Sequence, residues 1–188
     1  MFNKRIILAS ASPRRREIMN QFGFDFESIP SDADESGVDN LAPHKAVMEL
    51  ARRKAVWIKE RYPEKEEIIL AADTLVALDG ELLGKPKDEE DAFRMLSALS
   101  GTNHQVYTGY AILQGDKTVV DYDCTHVFFR PLEKEEIEAY IATGEPMDKA
   151  GAYGIQEKAG IFVRRVEGDY LNVLGLPICK IYEQLKRM

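Results

Sequence analysis

Histidine, cysteine and tryptophan are scarce in this chain, and their scarcity removes several kinds of chemistry. The 188 residues include three histidines, two cysteines and one tryptophan. Cys124 and Cys179 stand alone, with neither metal nor redox spacing, as expected of a protein from a reducing cytosol. His44, His104 and His126 lack metal-ligand spacing. No G-x-x-x-x-G-K-[ST] loop occurs, which excludes a Walker-type ATPase, and no G-x-S-x-G elbow presents a nucleophilic serine. Positive charge is not in excess: a net charge of −7 argues against a generic nucleic-acid surface. No apolar run approaches the roughly 20 residues of a membrane span. The opening MFNKRIILASA imitates a signal peptide, but its apolar run, Ile6 to Ala9, is shorter than the roughly 7–15 residues of an h-region. The expectation is a cytoplasmic protein that engages neither nucleic acid nor membrane.

What is present suits one or two closely joined α/β lobes, since 45% of the residues are apolar. Residues 5–10 read as a buried strand and 13–22 as a helix ending at Gly23. Residues 24–42 are acidic and loop-like, apart from a short strand around Phe26. An amphipathic helix fills 43–61 and stops at Tyr62-Pro63. Residues 67–78, EIILAADTLVAL, form a strand that turns at Asp79-Gly80. Asp88 caps a helix ending at Ser100-Gly101. Strands near 104–113 and 118–129 flank a Gly115-Asp116 hairpin turn, and a helix at 133–142 follows. A glycine-rich loop, a strand near 161–166 and a helix from about 177 complete the chain. Hairpins mixed with helices predict a mixed sheet rather than strict β-α alternation.

Four segments carry residues that a structural role explains poorly. In LASASPRRREIM, Ser12-Pro13 is a helix start, yet Arg14, Arg15 and Arg16 follow where the helix end is already partly positive. Arg15 shares a face with Ile18, Met19 and Phe22, which read as core, whereas Arg16 aligns with Asn20 and points to water. A bound anion would resolve the misplacement; pairing with Glu17 or the acidic loop is the alternative. Lys54 interrupts the apolar stripe Val47, Leu50, Ala51 and Ile58, either snorkelling to the rim or directing an ammonium into a cleft. Asp73 lies within a strand whose alternating faces are both apolar, where an unpaired carboxylate is expensive. It needs a cation, a metal or a place beside a cleft, unless it bonds Thr74 or nearby backbone. Lys85 follows in GKPKD. In DKAGAYGIQEKAG the glycines permit an irregular loop, and Gln156 offers a donor and an acceptor suited to a nucleobase edge. REIMNQFGF resembles the end of a Nudix box, but Asn20 and Gln21 stand where that box needs glutamates.

Taken together, SASPRRREIM, AADTLV, GKPKD and DKAGAYGIQ, with ARRKA around Lys54 and NVLGLPI near the C-terminus, resemble the Maf proteins. These are nucleotide pyrophosphatases once described as septum-formation inhibitors, and the resemblance spans essentially residues 1–188 as a single domain. It implies an inosine-triphosphatase-like α/β fold, with a long twisted mixed sheet in two lobes around a central cleft. It implies a hydrolase acting on acid anhydrides: a nucleoside triphosphate pyrophosphatase using a divalent cation, Mg²⁺ or Mn²⁺, in a homodimer. The GAYGIQ form with Arg14, Thr74 and Gln156 resembles the branch acting on dTTP and UTP, with pseudo-UTP and 5-methyl-UTP as further substrates. The alternatives are the 7-methyl-GTP branch and a non-catalytic nucleotide-binding regulator of division. Carried onto this chain, Ser10, Ser12, Arg14 and Arg15 would bind phosphate, and Lys54 and Lys85 would neutralise developing charge. Asp73 would accept a proton or, with Glu35, hold the metal; a carboxylate alone is a weak base, which favours activation of water through the metal. Thr74 and Gln156 would select the base.

Overall fold

A computed structural model describes residues 4–188; Met1 to Asn3, the first residues of the signal-peptide-like stretch, lie outside them. The elements follow from local chemistry. Strand β1 (Ile6–Leu8) runs through Ser10 into helix α1 (Pro13–Gln21), whose first turn is capped by the Ser12 hydroxyl accepting from Arg15 N–H at 3.4 Å. Strand β2 (Phe26–Ser28) precedes helix α2 (Pro43–Arg61), which stops at Tyr62 because the residue before a proline disfavours helix. Strand β3 (Ile68–Leu78) turns at Asp79-Gly80, both at positive φ, into strand β4 (Glu81–Leu83). Helix α3 (Glu89–Leu99) is capped by the Asp88 carboxylate. Strands β5 (Asn103–Gln114) and β6 (Lys117–Phe129) form the anticipated hairpin, and helix α4 (Lys134–Ile141) follows. Short 3-10 turns over 145–162 replace the predicted glycine-rich loop and lead into strand β7 (Val163–Glu167). Helices α5 (Tyr170–Val173) and α6 (Ile178–Leu185) end the chain. Strand β4 and helix α5 have no counterpart in the sequence reading, being too short to show a period. No helix among the described residues is long and apolar enough to cross a membrane.

The α/β architecture is an open mixed sheet in the order β2-β1-β3-β5-β6-β7, with β4 also paired to β3. β1 runs parallel to β2 and β3, while β3, β5, β6 and β7 are antiparallel neighbours. Helix α2 covers one face through Ala51, Ala55 and Ile58 against Ile7, Ile69 and Ala111. Helices α1 and α6 cover the other through Ile18, Met19 and Ile181 against Ile6, Leu70 and Ile112. Phe22, expected in that core, is instead 38% exposed, because it follows the last residue of α1 as its C-cap. A separate core gathers α3, α4 and the 3-10 turns around Val76, Val127 and Phe129. β3 therefore passes from one core at Leu70 to the other at Val76, with Asp73 and Thr74 at the crossing.

One glycine controls how closely α2 approaches that crossing. Gly109 is the cross-strand partner of Asp73, and a Cβ there would lie 2.3 Å from the Val47 carbonyl carbon and oxygen of α2. Backbone cannot yield as a side chain can. Gly109→Ala should displace α2 and destabilise the fold by about 1–3 kcal/mol, the usual cost of overpacking. Thermal unfolding measures it, and a variant melting with the wild type would remove the constraint.

His104 is fully buried in the second core, edge-on to the rings of Phe129 and Tyr153, with Nε2 2.7 Å from the Tyr153 hydroxyl and Nδ1 unpartnered. Burial lowers its pKa from 6.5 to about 4. The unfolded chain therefore binds a proton that the folded chain refuses between those values, and stability is lost as pH falls from about 6.5 to about 4. The lost amount approaches about 3 kcal/mol. Denaturant titrations across this window should show the slope in the wild type and not in His104→Gln; an equal slope in both would assign it elsewhere.

Candidate active site

β1 and β4 share one edge of β3 without meeting. β1 pairs with Ile68–Leu70 and β4 with Val76–Leu78, so residues 71–75 have no partner strand on that side. A cleft of about 740 Å³ opens at this interval. Asp73 and Thr74, pointing to opposite faces, both line it, as do Ser10, Ser12, Arg14, Arg15, Glu35, Lys54, Lys85 and Gln156. Every site residue identified from the sequence is thus in one cleft. A second cavity of about 570 Å³, lined by Asp79, Asn103, Phe128 and Arg165 among others, holds none of them.

On the α2 face, the Lys54 ammonium lies 2.5 Å from Asp73 Oδ1 and 2.8 Å from Glu35 Oε1. Lys54 and Asp73 side chains are each little exposed, whereas Glu35 is largely in solvent. The lysine therefore directs its charge into the cleft rather than snorkelling to the rim, and Asp73 has the cation that its burial demands.

On the α1 face, Arg15 is anchored at three points. Nε donates to the Gly175 carbonyl at 2.8 Å, one Nη to Ser10 Oγ at 3.2 Å and the other to Thr74 Oγ1 at 3.1 Å. Burial lowers its pKa, partly opposed by Asp73 and Glu35 and reinforced by Arg14. Gly175 makes room for this arrangement: it has a φ of +98°, and a Cβ there would lie 3.1 Å from Thr74 Oγ1. Ser10 also accepts from the Ser12 N–H at 3.1 Å. Arg16 is exposed, as its facing predicts. Lys85 and Gln156 are exposed at the cleft margin and have no hydrogen-bond or ion-pair partner among the described residues.

The far wall contains charges that the sequence reading did not single out. Lys149 is 6% exposed and donates to Asp148 Oδ1 at 2.7 Å and to the Glu145 carbonyl at 3.0 Å, with Glu157 Oε2 at 2.9 Å. Burial pulls its pKa down, but the bonds to Asp148 and Glu157 outweigh that and raise it. Glu157 also reaches Arg14 across the cleft at 3.7 Å. The available signal was a lysine within DKAGAYGIQ, but nothing in the local pattern distinguishes it from a solvated one.

A carboxylate beside an ammonium, a helix N-terminus and the further cations Arg14, Arg15, Lys85 and Lys149 in one cleft can hold a polyanion and position water against it. Known proteins resemble this chain over nearly its whole length. A Clostridium botulinum (strain Kyoto / Type A2) protein named dTTP/UTP pyrophosphatase is 48% identical over 191 residues, covering 98% of this chain and 97% of that one. A Bacillus cereus (strain ATCC 10987 / NRS 248) protein of the same name is 48% identical over 184 residues, covering 98% of this chain and 90% of that one. Among solved structures, the Staphylococcus aureus Ham1 protein aligns with 97% of this chain and 100% of its own at a TM-score of 0.49 and 16% identity. The Maf-like protein profile matches residues 5–188, and the chain belongs to the Maf family.

Proposed function

We propose that this protein is a nucleoside triphosphate pyrophosphatase that hydrolyses dTTP and UTP to the monophosphate and pyrophosphate. The observation that carries the reading is the convergence of Asp73, Lys54, Glu35 and the α1 arginines on one cleft, in a chain 48% identical to proteins named for this activity. In this reading water attacks the α-phosphorus, and the bridging oxygen leaves with pyrophosphate. Arg14, Arg15, Ser12 and the start of α1 hold phosphate oxygens, and Lys85, without a partner among the described residues, meets the charge that grows on the leaving pyrophosphate. Asp73 orients the attacking water and takes up its proton, with Lys54 holding the carboxylate in place.

The residues present fit a divalent cation. Glu35 and Asp73 are hard oxygen donors whose carboxylates already converge on one positive charge, the Lys54 ammonium. No group of three or more acidic, histidine or cysteine side chains able to hold a metal ion gathers among the described residues, so phosphate oxygens and water would complete the shell, as is usual for Mg²⁺. When bound, Mg²⁺ or Mn²⁺ supplies Lewis-acid stabilisation and a more acidic water. The same proposal includes residues 1–188 acting as one unit, a cytoplasmic setting and a homodimer, which sedimentation would read directly. A regulator that only binds nucleotide would share the phosphate cradle but release no pyrophosphate.

Asp73→Asn should abolish pyrophosphate release while UTP binding survives, because the amide keeps the shape and loses the charge. Turnover and calorimetric binding are measured separately, and near-normal turnover would remove Asp73 from the mechanism. Arg14→Ala and Lys85→Ala should each cost about 2–4 kcal/mol in kcat/KM, whereas Arg16→Ala should cost little.

Base choice is tested with a nucleotide panel. The uracil and thymine edge presents carbonyl, imide and carbonyl groups, which the Gln156 amide and nearby backbone can satisfy. Cytosine replaces one carbonyl with an amino group and leaves bonds unpaired. The expected order is dTTP and UTP, then CTP well behind, then purine triphosphates, with Gln156→Glu blurring it. Efficient 7-methyl-GTP hydrolysis with UTP nearly inert would assign the protein to the other branch.

A further inference from the structure

The hydrogen bonds behind Arg15 form a chain whose direction can be read from donor counting. Thr108, fully buried on β5, is the cross-strand partner of Thr74 on β3. Its Oγ1 lies 2.9 Å from the Asn172 carbonyl oxygen, which can only accept, so the single Thr108 hydroxyl proton is directed there. Thr108 Oγ1 is also 2.9 Å from Thr74 Oγ1. Thr74 must therefore donate to Thr108, and it accepts from the Arg15 guanidinium at 3.1 Å. The chain runs Arg15 to Thr74 to Thr108 to the backbone of Asn172. Thr74 has no proton left to offer a substrate.

The far end of the chain is firmly held. Asn172 is fully buried, and its amide nitrogen donates to the Val106 carbonyl and to Thr125 Oγ1, both at 2.9 Å. Thr125 in turn donates to the Asp169 carbonyl at 2.8 Å. Gly175, three residues beyond Asn172, accepts the Arg15 Nε–H. Two points on one short segment thus set the guanidinium plane, one directly and one through the two threonines. The bonds to Gly175, Ser10 and Thr74 use three of the five guanidinium N–H groups, leaving two for a ligand.

We infer that Thr108 is a positioning residue for phosphate binding: through Thr74 it orients Arg15, while Thr74 itself has no proton to donate to the base. The inference rests on the nucleotide-site reading for the identity of the ligand. It requires only that Arg15 meets a phosphate chain.

A double-mutant cycle tests it, because residues that act through one another lose their effect when the intermediary is removed. The probe is inorganic tripolyphosphate, titrated calorimetrically with EDTA present so that no turnover occurs. Thr108→Val, which keeps the shape and loses the hydroxyl, should weaken binding about tenfold, and Thr108→Ser should restore it to within about twofold of wild type. In an Arg15→Met background, Thr108→Val should change the affinity by less than about twofold, while its melting temperature still falls. A purely structural threonine would weaken binding equally in both backgrounds, and that result would overturn the inference. So would a wild type that binds no tripolyphosphate. If Thr108→Val does not fold, Thr108→Cys, which keeps the volume with only weak hydrogen bonding, carries the same cycle. A wild type that binds tripolyphosphate but releases no pyrophosphate from UTP would sink the proposed activity and leave this inference standing.

Discussion

The site depends on an interruption in the edge of one strand. β5 pairs with β3 along nearly its whole length, but on the other edge β1 pairs only as far as Leu70 and β4 begins pairing at Val76. A strand with unpaired backbone groups invites a partner. Here the interval opens into the cleft, and α1 starts beside it because β1 ends there. The interval also coincides with the passage of β3 between the two cores. Polar side chains at Asp73 and Thr74 interrupt neither core, since neither core reaches that far. Successive strand residues face opposite ways, so one dipeptide supplies a carboxylate to the α2 side and a hydroxyl to the α1 side.

Each of those two groups is then matched to a cation carried by a helix. Removing one partner of a buried ion pair typically costs about 3–5 kcal/mol, because the other charge is left without compensation. That penalty ties Lys54 to Asp73, and through them α2 to β3. Gly109 permits the distance by letting the α2 backbone rest directly on β5. Arg15 is fixed differently, by neutral acceptors on the Gly175 and Ser10 side and by the threonine chain. The two cations therefore face one cleft from opposite sides of the sheet, each held by the protein.

Much of this was legible in the sequence, for identifiable reasons. The long helix at 43–61, the strand ending at Asp79-Gly80 and the Asp88 cap are local signals, and each element appears within a residue or two of its predicted bounds. Asp73 and Lys54 stood out because each broke an apolar pattern, and such a break needs an explanation outside the segment. Strand β4, helix α5 and the exposure of Phe22 were not legible. Three or four residues carry no period, and Phe22 continues the helical pattern of α1 although the helix has already ended. The far-wall charges were hidden for another reason: burial of Lys149 depends on Glu145 and Glu157, which the chain brings together only by folding.

The sequence by itself determined the types of elements, the misplaced charges and the membership of the Maf family, because periodicity, caps and motif residues are encoded within short windows. The tertiary structure decided which charge meets which. That Lys54 sits between Asp73 and Glu35, that Arg15 is tied to Gly175, and that the Thr74 proton points to Thr108 all follow from strand register and helix placement. Residues separated by dozens of positions share no local signal. Only the register that pairs Thr74 with Thr108, and the close approach that Gly109 allows, brings their donors and acceptors within hydrogen-bonding range.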